Sequence, residues 1–111
     1  MKEILTTIKT SAEDKKGARI RILDINRIST IADYFILITG FNSNQVQAIA
    51  DHIEEEMSMK HDLKPRQIEG YKNAGWILMD YETIVVHVFS EENRSFYDLD
   101  RIWSDAEEIQ V

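Results

Sequence analysis

The sequence predicts an α/β (α+β-like) fold, in which helices flank a mixed five-stranded sheet in one small domain spanning residues 1–111. The first observation behind this prediction is the order of the hydrophobic patterns, which runs helix, strand, strand, helix, three strands and helix. The second is the length, which suits one domain with a modest core. The third is that no repeat, linker or low-complexity segment divides the chain.

The first third of the chain predicts one helix and two strands. Residues 1–16 place aliphatic side chains on one helical face, and Gly17 is the expected C-cap of that helix. Arg19 to Leu23 alternates charged and aliphatic residues, as a half-buried strand does. Tyr34 to Thr39 reads YFILIT, an uninterrupted apolar run that is typical of a central strand buried on both faces.

A second helix is predicted after the turn at residues 40–43, with Asn42 or Ser43 as its N-cap. Five apolar residues at helical spacing form its expected buried stripe: Val46, Ile49, Ala50, Ile53 and Met57. Residues 66–71 then predict a weaker strand, which Gly70 interrupts.

A β-hairpin at residues 76–89 is the most informative stretch of the sequence. Two strand patterns, 76–81 and 84–89, are separated by only Glu82 and Thr83. The expected cross-strand pairs are Trp76 with Phe89, Leu78 with His87, and Asp80 with Val85. The opposite face is almost purely apolar and is expected to join the core: Ile77, Met79, Tyr81, Ile84, Val86 and Val88. A helical segment from Glu91 to about Ala106 is expected to follow.

The mixed face of this hairpin is the better candidate for a binding surface. Trp76 offers a large apolar area with few rotatable bonds, and such residues dominate the energetics of protein interfaces. The alternative is that Trp76 packs under a helix, and the sequence leaves both possibilities open. Trp103 is expected instead to cover the edge of the sheet.

The charge of the chain disfavours nucleic acid as a direct partner. Asp and Glu outnumber Lys and Arg by 20 to 13, for a formal net charge of −7. Nucleic-acid binding draws on a surplus of basic residues, so no direct, sequence-specific contact with RNA or DNA is expected. An acidic surface suits a basic protein partner, although acidity also serves solubility alone.

The setting predicted from the sequence is reducing and cytoplasmic. The chain contains no cysteine, which excludes disulfides, zinc–thiolate sites and a thiol nucleophile. The N-terminal stretch MKEILTTIKT lacks the apolar core of a signal peptide. No apolar run approaches the roughly 18 residues that a membrane helix needs, so no membrane association is expected.

Asp80 and Glu82 are the strongest candidates for enzyme chemistry. A metal-dependent nucleotidyltransferase would need such a carboxylate pair, a third carboxylate and a Gly-Ser turn that binds phosphate. Gly40 and Ser43 offer a vestige of that turn. The pattern is weak, because Glu82 lies at the hairpin tip and no third acid stands out. An ordinary turn acid and edge aspartate are therefore favoured over a metal site.

The histidines offer two further candidates, each with a simpler explanation. His52 lies one helical turn from Glu55 and Glu56, but zinc sites need more ligands, so a solvated helix face is favoured. His87 is a conceivable general base, yet a histidine beside a tryptophan on a sheet is more often packed and singly hydrogen-bonded. No catalytic residue, metal or cofactor is therefore expected.

Two segments resemble a known family. The first contains IADYFILITG at residues 31–40, then Ser43 and QVQAIA at 45–50. The motifs of the second are Glu69-Gly70, WILMDY at 76–81, VVHVF at 85–89, Arg94, Phe96-Tyr97, Leu99 and IWSDA at 102–106. In order and spacing, these motifs resemble the ribosomal silencing factor family, also called RsfS, YbeB or the Iojap-related family, over nearly the whole chain.

This resemblance implies a translational repressor that is not an enzyme. Family members bind the large ribosomal subunit through the basic ribosomal protein L fourteen and obstruct joining of the small subunit under nutrient limitation. Their fold resembles nucleotidyltransferases without the catalytic acids, and isolated members tend to be homodimers. The resemblance places the partner surface here on five residues: Trp76, Asp80, Tyr81, Arg94 and Tyr97.

One position departs from the family pattern. The hairpin tip commonly carries Gly where this chain has Glu82. A two-residue tip favours positive φ, which glutamate accepts poorly. A longer or differently shaped turn is therefore expected beside Asp80 and Tyr81.

Overall fold

The computed structural model describes all residues from 1 to 111 and contains four helices and six strands. In chain order they are α1 (Lys2–Asp14), β1 (Ala18–Asp24), β2 (Tyr34–Gly40), α2 (Ser43–His61), β3 (Gln67–Glu69), β4 (Trp76–Asp80), β5 (Ile84–Ser90), α3 (Glu91–Tyr97), α4 (Leu99–Ile102) and β6 (Glu107–Glu108). The strands form one sheet in the order β3-β4-β5-β2-β1-β6. Only β2 and β5 pair in parallel, so the predicted mixed sheet is confirmed.

The segment from Glu91 to about Ala106, predicted as one helical segment, contains two short helices, α3 and α4. Asp98 adopts φ 50, a left-handed conformation that ends α3 and separates it from α4. The chain then pairs Glu107 and Glu108 with the end of β1, which adds a sixth strand to the five predicted. Periodicity could not reveal so short a strand, because two residues carry no repeating pattern.

The sheet separates a large hydrophobic core from a small one. Helices α1 and α2 cover one face, where 17 buried residues form a single cluster. On the other face, only seven buried residues lie beneath Leu99 and Trp103 from the C-terminal segment. That second face is therefore less completely covered. None of the four helices combines the length and the apolar character needed to cross a lipid bilayer.

The residue that takes the left-handed conformation at the end of α1 is not the predicted Gly17. Lys16, with φ 62, takes the left-handed position, and its N–H donates to the carbonyl of Glu13 at 2.9 Å. The N–H of Gly17 donates to the carbonyl of Ala12 at 2.8 Å, which completes a Schellman motif. The C-cap is Lys15 and the left-handed residue after it is Lys16, so the prediction of Gly17 as the C-cap was wrong. Gly17 serves close packing instead, since a Cβ there would lie 3.0 Å from the Ala12 oxygen.

The central elements agree with the sequence prediction. Strand β2 lies between β5 and β1, and every residue from Phe35 to Gly40 is buried. Asn42 is the N-cap of α2, and its side chain accepts a hydrogen bond from the backbone of Gln45 at 2.8 Å. All five residues of the predicted α2 stripe are buried.

The hairpin has the predicted register. Of the two alternatives expected for the turn at Glu82, a longer loop was wrong, whereas its shape is unusual, since the N–H of Thr83 donates to the carbonyl of Tyr81 at 3.0 Å. Trp76 pairs with Phe89, and Asp80 pairs with Val85. The N–H of Tyr81 donates to the carbonyl of Ile84 at 2.8 Å, so the loop contains two residues. Glu82 accepts the positive φ that such a tip requires, at 77°.

Candidate partner-binding face

The less covered face of the sheet exposes aromatic and apolar side chains at the β4 edge. Trp76 and Leu78 of β4 point to this face and remain half-buried. Phe96 and Tyr97, at the end of α3, lie beside them and are exposed. We call these four residues the aromatic face: Trp76, Leu78, Phe96 and Tyr97.

The indole of Trp76 is hydrogen-bonded on the side that faces the core, and part of the side chain remains exposed to solvent. Its indole Nε1–H donates to Nδ1 of His87 at 3.0 Å. Its ring centroid lies 5.0 Å from that of Phe89 and 4.6 Å from that of Tyr97. Trp76 is therefore half-buried, lying between the two alternatives that the sequence left open, and its role as a partner anchor stays a prediction.

His87 is a packed residue, as the sequence analysis favoured. Its side chain is buried, and its ring lies edge-on to that of Phe35 at a centroid distance of 4.6 Å. Burial lowers the pKa of His87 to about 3, so the imidazole is neutral at physiological pH. Because Nδ1 accepts the Trp76 hydrogen bond and Nε2 is buried without a partner, no ring nitrogen is available to a substrate.

Phe96 is a candidate that the sequence analysis did not single out as a site residue. It is 76% exposed, and its ring meets that of Tyr97 at a centroid distance of 5.0 Å. The sequence could have indicated this exposure, because Phe96 and Tyr97 are two adjacent aromatic residues at the end of a short helix. Successive helical residues point about 100° apart, so both rings cannot face the core.

Arg94 does not lie at the surface with Tyr97. Its side chain is fully buried, and its Nε and Nη2 donate to the carboxylate of Asp100 at 2.7 and 3.0 Å. Its Nη1 donates to the hydroxyl of Thr39 at 3.0 Å. A guanidinium with these partners cannot contact another molecule directly, so Arg94 supports α3 from within.

Asp80 points to the same face as Trp76, but its carboxylate is already engaged. Oδ2 accepts from Arg66 Nη2 at 2.8 Å, and Oδ1 accepts from the backbone N–H of Glu82 at 2.7 Å. The hydrogen bond from Arg66 holds the pKa of Asp80 below its usual value. Asp80 is therefore ionised, and its negative charge at the rim of the aromatic face is paired with the positive charge of Arg66.

Tyr81 points to the opposite face from the other candidates at this edge. Its ring packs against the large core, and its hydroxyl is buried without a hydrogen-bond partner. Burial raises the pKa of Tyr81 above its usual value. Of the five residues that the sequence nominated, the structure thus brings three together on one face: Trp76, Asp80 and Tyr97.

A further residue completes the rim and was missed as a site residue. Glu69 of β3 pairs directly with Leu78, and directly paired residues point to the same face of a sheet. Its side chain is exposed. Without the strand register, Glu69 could be recognised only as part of a Glu-Gly motif. The aromatic face is therefore bordered by two acids, Glu69 and Asp80.

The residues that could suggest a nucleotidyltransferase site do not lie close to one another in the structure. Asp80 pairs with Val85, and Val85 pairs with Phe35 near the start of β2. Gly40 ends β2, so five residues of strand, or roughly 16 Å, separate it from the level of Asp80. The Gly40–Ser43 turn and the acids of the hairpin are therefore at opposite ends of the sheet.

The cluster on α2 has the character of a charged helix surface. Side-chain ligand atoms of His52, Glu55 and Glu56 lie within 4.8 Å of one another. Two of these side chains have other partners, because His52 Nε2 lies 3.1 Å from Asp14 Oδ2 and Glu56 pairs with Lys60 at 3.2 Å. These ion pairs and hydrogen bonds account for the cluster.

Comparison with known proteins finds relatives that match most of the chain. The family model described as "Ribosomal silencing factor during starvation" matches residues 1–111. The protein is 38% identical to the ribosomal silencing factor RsfS of Bacillus subtilis over 105 residues, which cover 95% of this chain and 88% of the relative. It is 35% identical to that of Halalkalibacterium halodurans over 109 residues, covering 98% and 92%.

Two solved structures share the fold. A crystal structure of a Chromobacterium violaceum protein superimposes with a TM-score of 0.89 at 28% identity, and the match covers 94% of this chain and 86% of that one. A Bacillus halodurans structure superimposes with a TM-score of 0.86 at 30% identity, covering 100% of both chains.

Proposed function

Because this chain belongs to the ribosomal silencing factor family, we propose that it is a ribosome-associated repressor of translation. We further propose that it binds the large ribosomal subunit through the basic ribosomal protein L fourteen. Bound there, it blocks joining of the small subunit under nutrient limitation. The observation that carries the proposal is the aromatic face, in which the half-buried Trp76 of β4 packs against the exposed Tyr97.

The composition of the aromatic face supports a protein partner. Trp and Tyr are enriched among residues that contribute most to binding, particularly near the centre of an interface. Here the half-buried Trp76 and the exposed Phe96 supply the apolar centre. The side chains that surround such a centre are usually polar, as Glu69 and Asp80 are.

The charge of the rim supports a basic partner. Glu69 and Asp80 border the aromatic face; because Arg66 pairs with Asp80, the negative charge comes from Glu69 and from the whole chain, whose formal net charge is −7. Complementary charge accelerates association and suppresses binding to acidic partners such as bare RNA. In this proposal Trp76, Tyr97 and Asp80 contact the partner directly. Arg94 and Tyr81 support that surface from behind it.

Sedimentation with separated ribosomal subunits tests the proposal. We expect the protein to be recovered with large subunits and not with small ones. Purified ribosomal protein L fourteen should compete for the protein, and its addition should release it from large subunits. Equal recovery with both subunits, or with deproteinised ribosomal RNA, would contradict the proposal.

An order-of-addition experiment tests the effect on subunit joining. Large subunits are incubated with the protein before small subunits are added, and 70S particles are measured by light scattering. We expect fewer 70S particles than when the two subunits are mixed first. No dependence on the order of addition would mean that the protein does not act at this step.

A metal-dependent nucleotidyltransferase is the alternative function. It predicts tight, magnesium-dependent binding of a nucleoside triphosphate that is lost in Asp80→Ala. The separation of Gly40 from Asp80 along the sheet argues against it. Calorimetric titration with magnesium and each of the four triphosphates distinguishes the alternatives, and we expect no heat of binding.

We also propose that the protein forms a homodimer when it is free of ribosomes. This state follows the family resemblance, and sedimentation equilibrium at several concentrations tests it. A single species of 13.0 kDa at all concentrations would contradict the dimer.

A further inference from the structure

The hydrogen bond between Trp76 and His87 connects the aromatic face to the interior. Trp76 lies directly opposite Phe89, so His87 is its diagonal neighbour on β5. The indole Nε1–H can donate to Nδ1 only when that nitrogen carries no proton. The bond therefore selects the neutral imidazole tautomer that is protonated at Nε2.

The environment of His87 keeps its ring from turning. The ring of Phe35 lies edge-on to it at a centroid distance of 4.6 Å, and that of Phe89 lies nearly parallel to it at 5.9 Å. The residue is 3% exposed, and its ring lies against those of Phe35, Trp76 and Phe89. A side chain so enclosed provides a fixed acceptor for Trp76.

The second ring nitrogen of His87 makes histidine an energetically unfavourable residue in the folded state at this position. Nε2 of His87 is buried and has no hydrogen-bond partner. Buried polar groups are nearly always hydrogen-bonded, and each exception calls for an explanation. A leucine at this position would remove the unsatisfied donor. Histidine provides a hydrogen-bond acceptor for Trp76 at Nδ1, which leucine lacks.

We propose that His87 is a positioning residue, which holds the indole of Trp76 in the orientation that contacts the ribosomal partner. The inference rests on the proposed function, because it takes Trp76 as the anchor. With Nε1 hydrogen-bonded to His87, the indole packs against Tyr97 at a centroid distance of 4.6 Å and an interplanar angle of 47°. An anchor already fixed in the free protein loses less side-chain freedom on binding.

The first experiment measures hydrogen exchange at the indole nitrogens by ¹⁵N NMR. The chain has two tryptophans, so Trp103 serves as the internal reference in every spectrum. We expect the Trp76 indole proton to exchange at least about 10-fold faster in His87→Leu, because its acceptor is gone. In His87→Asn, the amide oxygen at the place of Nδ1 should restore slow exchange. Unchanged exchange in His87→Leu would overturn the inference.

The second experiment measures affinity for large ribosomal subunits in a double-mutant cycle. His87→Leu should weaken binding by about 5-fold through lost preorganisation, and His87→Asn should recover most of it. In a Trp76→Phe background, His87→Leu should have no further effect, because phenylalanine has no N–H to donate. An equal loss in both backgrounds would show that His87 acts on stability alone and would overturn the inference.

Two controls keep these outcomes distinct. Thermal unfolding of each variant reports whether it is folded, and His87→Val is the second acceptor-free variant if His87→Leu does not fold. If the wild-type protein fails to bind large subunits, the proposed function is wrong. The exchange experiment still decides whether His87 holds Trp76, because it needs no partner.

Discussion

Arg94 and Asp100 form a two-pronged ion pair beneath α3 that joins four elements of the fold. Arg94 Nε and Nη2 lie 2.7 and 3.0 Å from the two oxygens of the Asp100 carboxylate. Thr39 of β2 accepts a third hydrogen bond from Arg94 at 3.0 Å, and Arg21 of β1 donates to Asp100 at 2.7 Å. These bonds, those from Arg94 foremost, hold the pKa of Asp100 well below its usual value. The network therefore fixes α3, and with it Tyr97, on the sheet.

Replacing Arg94 with methionine should reduce the free energy of unfolding by about 3 kcal/mol, the lower end for breaking a buried ion pair. The lower end applies because Asp100 is partly exposed and keeps Arg21 as a partner. Urea unfolding measures the change. Arg101→Met is the matched control, because Arg101 pairs with Asp98 at 3.0 Å on the exposed surface. There we expect a loss below about 0.5 kcal/mol, and equal losses in the two variants would contradict the structural role of Arg94.

Replacing Trp76 with alanine should weaken binding to large ribosomal subunits by about 30-fold while the domain stays folded. Truncation of a central tryptophan in an interface typically costs about 2 kcal/mol or more, which corresponds to that factor. Co-sedimentation at a series of subunit concentrations measures the affinity, and circular dichroism monitors folding. Normal binding by the variant would exclude Trp76 as an anchor.

Tyr71→Ala provides a matched control for the tryptophan variant. Tyr71 is an aromatic residue that is 41% exposed, and its hydroxyl donates to Asp51 of α2 at 3.0 Å, so it lies on the helix-covered side of the sheet and not on the aromatic face. Its truncation should leave the affinity for large subunits unchanged within about 2-fold. A loss equal to that of Trp76→Ala would mean that exposed aromatic residues contribute non-specifically.

The hairpin could be predicted from sequence because its register follows from a two-residue spacing. Alternation then assigns every side chain to a face, and the pairing of Trp76 with Phe89 agrees with that assignment. The burial of Arg94 could not be predicted in the same way. It depends on Thr39, which is 55 residues distant in sequence, and on a short helix that brings Asp100 within reach. Local periodicity carries no information about such contacts.

Backbone conformation was the other source of error. The sequence rules assign positive φ to glycine, yet Lys16 and Glu82 adopt it at 62° and 77°. In both places the surrounding hydrogen bonds impose the conformation on a residue that disfavours it. The tip of the hairpin is therefore a position where substitution by glycine should stabilise the protein.

Replacing Glu82 with glycine should increase the free energy of unfolding by about 1 kcal/mol. A non-glycine residue at positive φ costs on the order of 1–3 kcal/mol, and the greater freedom of glycine in the unfolded chain offsets part of this gain. Urea unfolding at neutral pH measures the difference. Thr83→Gly, at the neighbouring position without positive φ, should destabilise instead. Destabilisation by Glu82→Gly would show that the glutamate side chain makes a contact that matters.

Acid should destabilise the protein through His87. Its pKa is lowered from 6.5 to about 3 by burial, so between these values the unfolded state binds a proton that the native state does not. The free energy of unfolding therefore falls as the pH falls through this range. Between pH 7 and pH 5, wild type should lose about 2 kcal/mol more than His87→Leu. Urea unfolding at four pH values tests this, and parallel pH profiles for the two proteins would contradict it.

Replacing Tyr81 with phenylalanine should leave affinity for large subunits unchanged and stabilise the protein slightly. The hydroxyl of Tyr81 is buried without a hydrogen-bond partner, and leaving such a group unsatisfied costs about 1–3 kcal/mol. Its removal should increase the free energy of unfolding by about 1 kcal/mol, less than the full cost because the native state can relax around the hydroxyl. Urea unfolding and co-sedimentation measure the two effects. Reduced affinity with unchanged stability would instead place the hydroxyl in direct contact with the partner and would require the β4 edge to rearrange on binding.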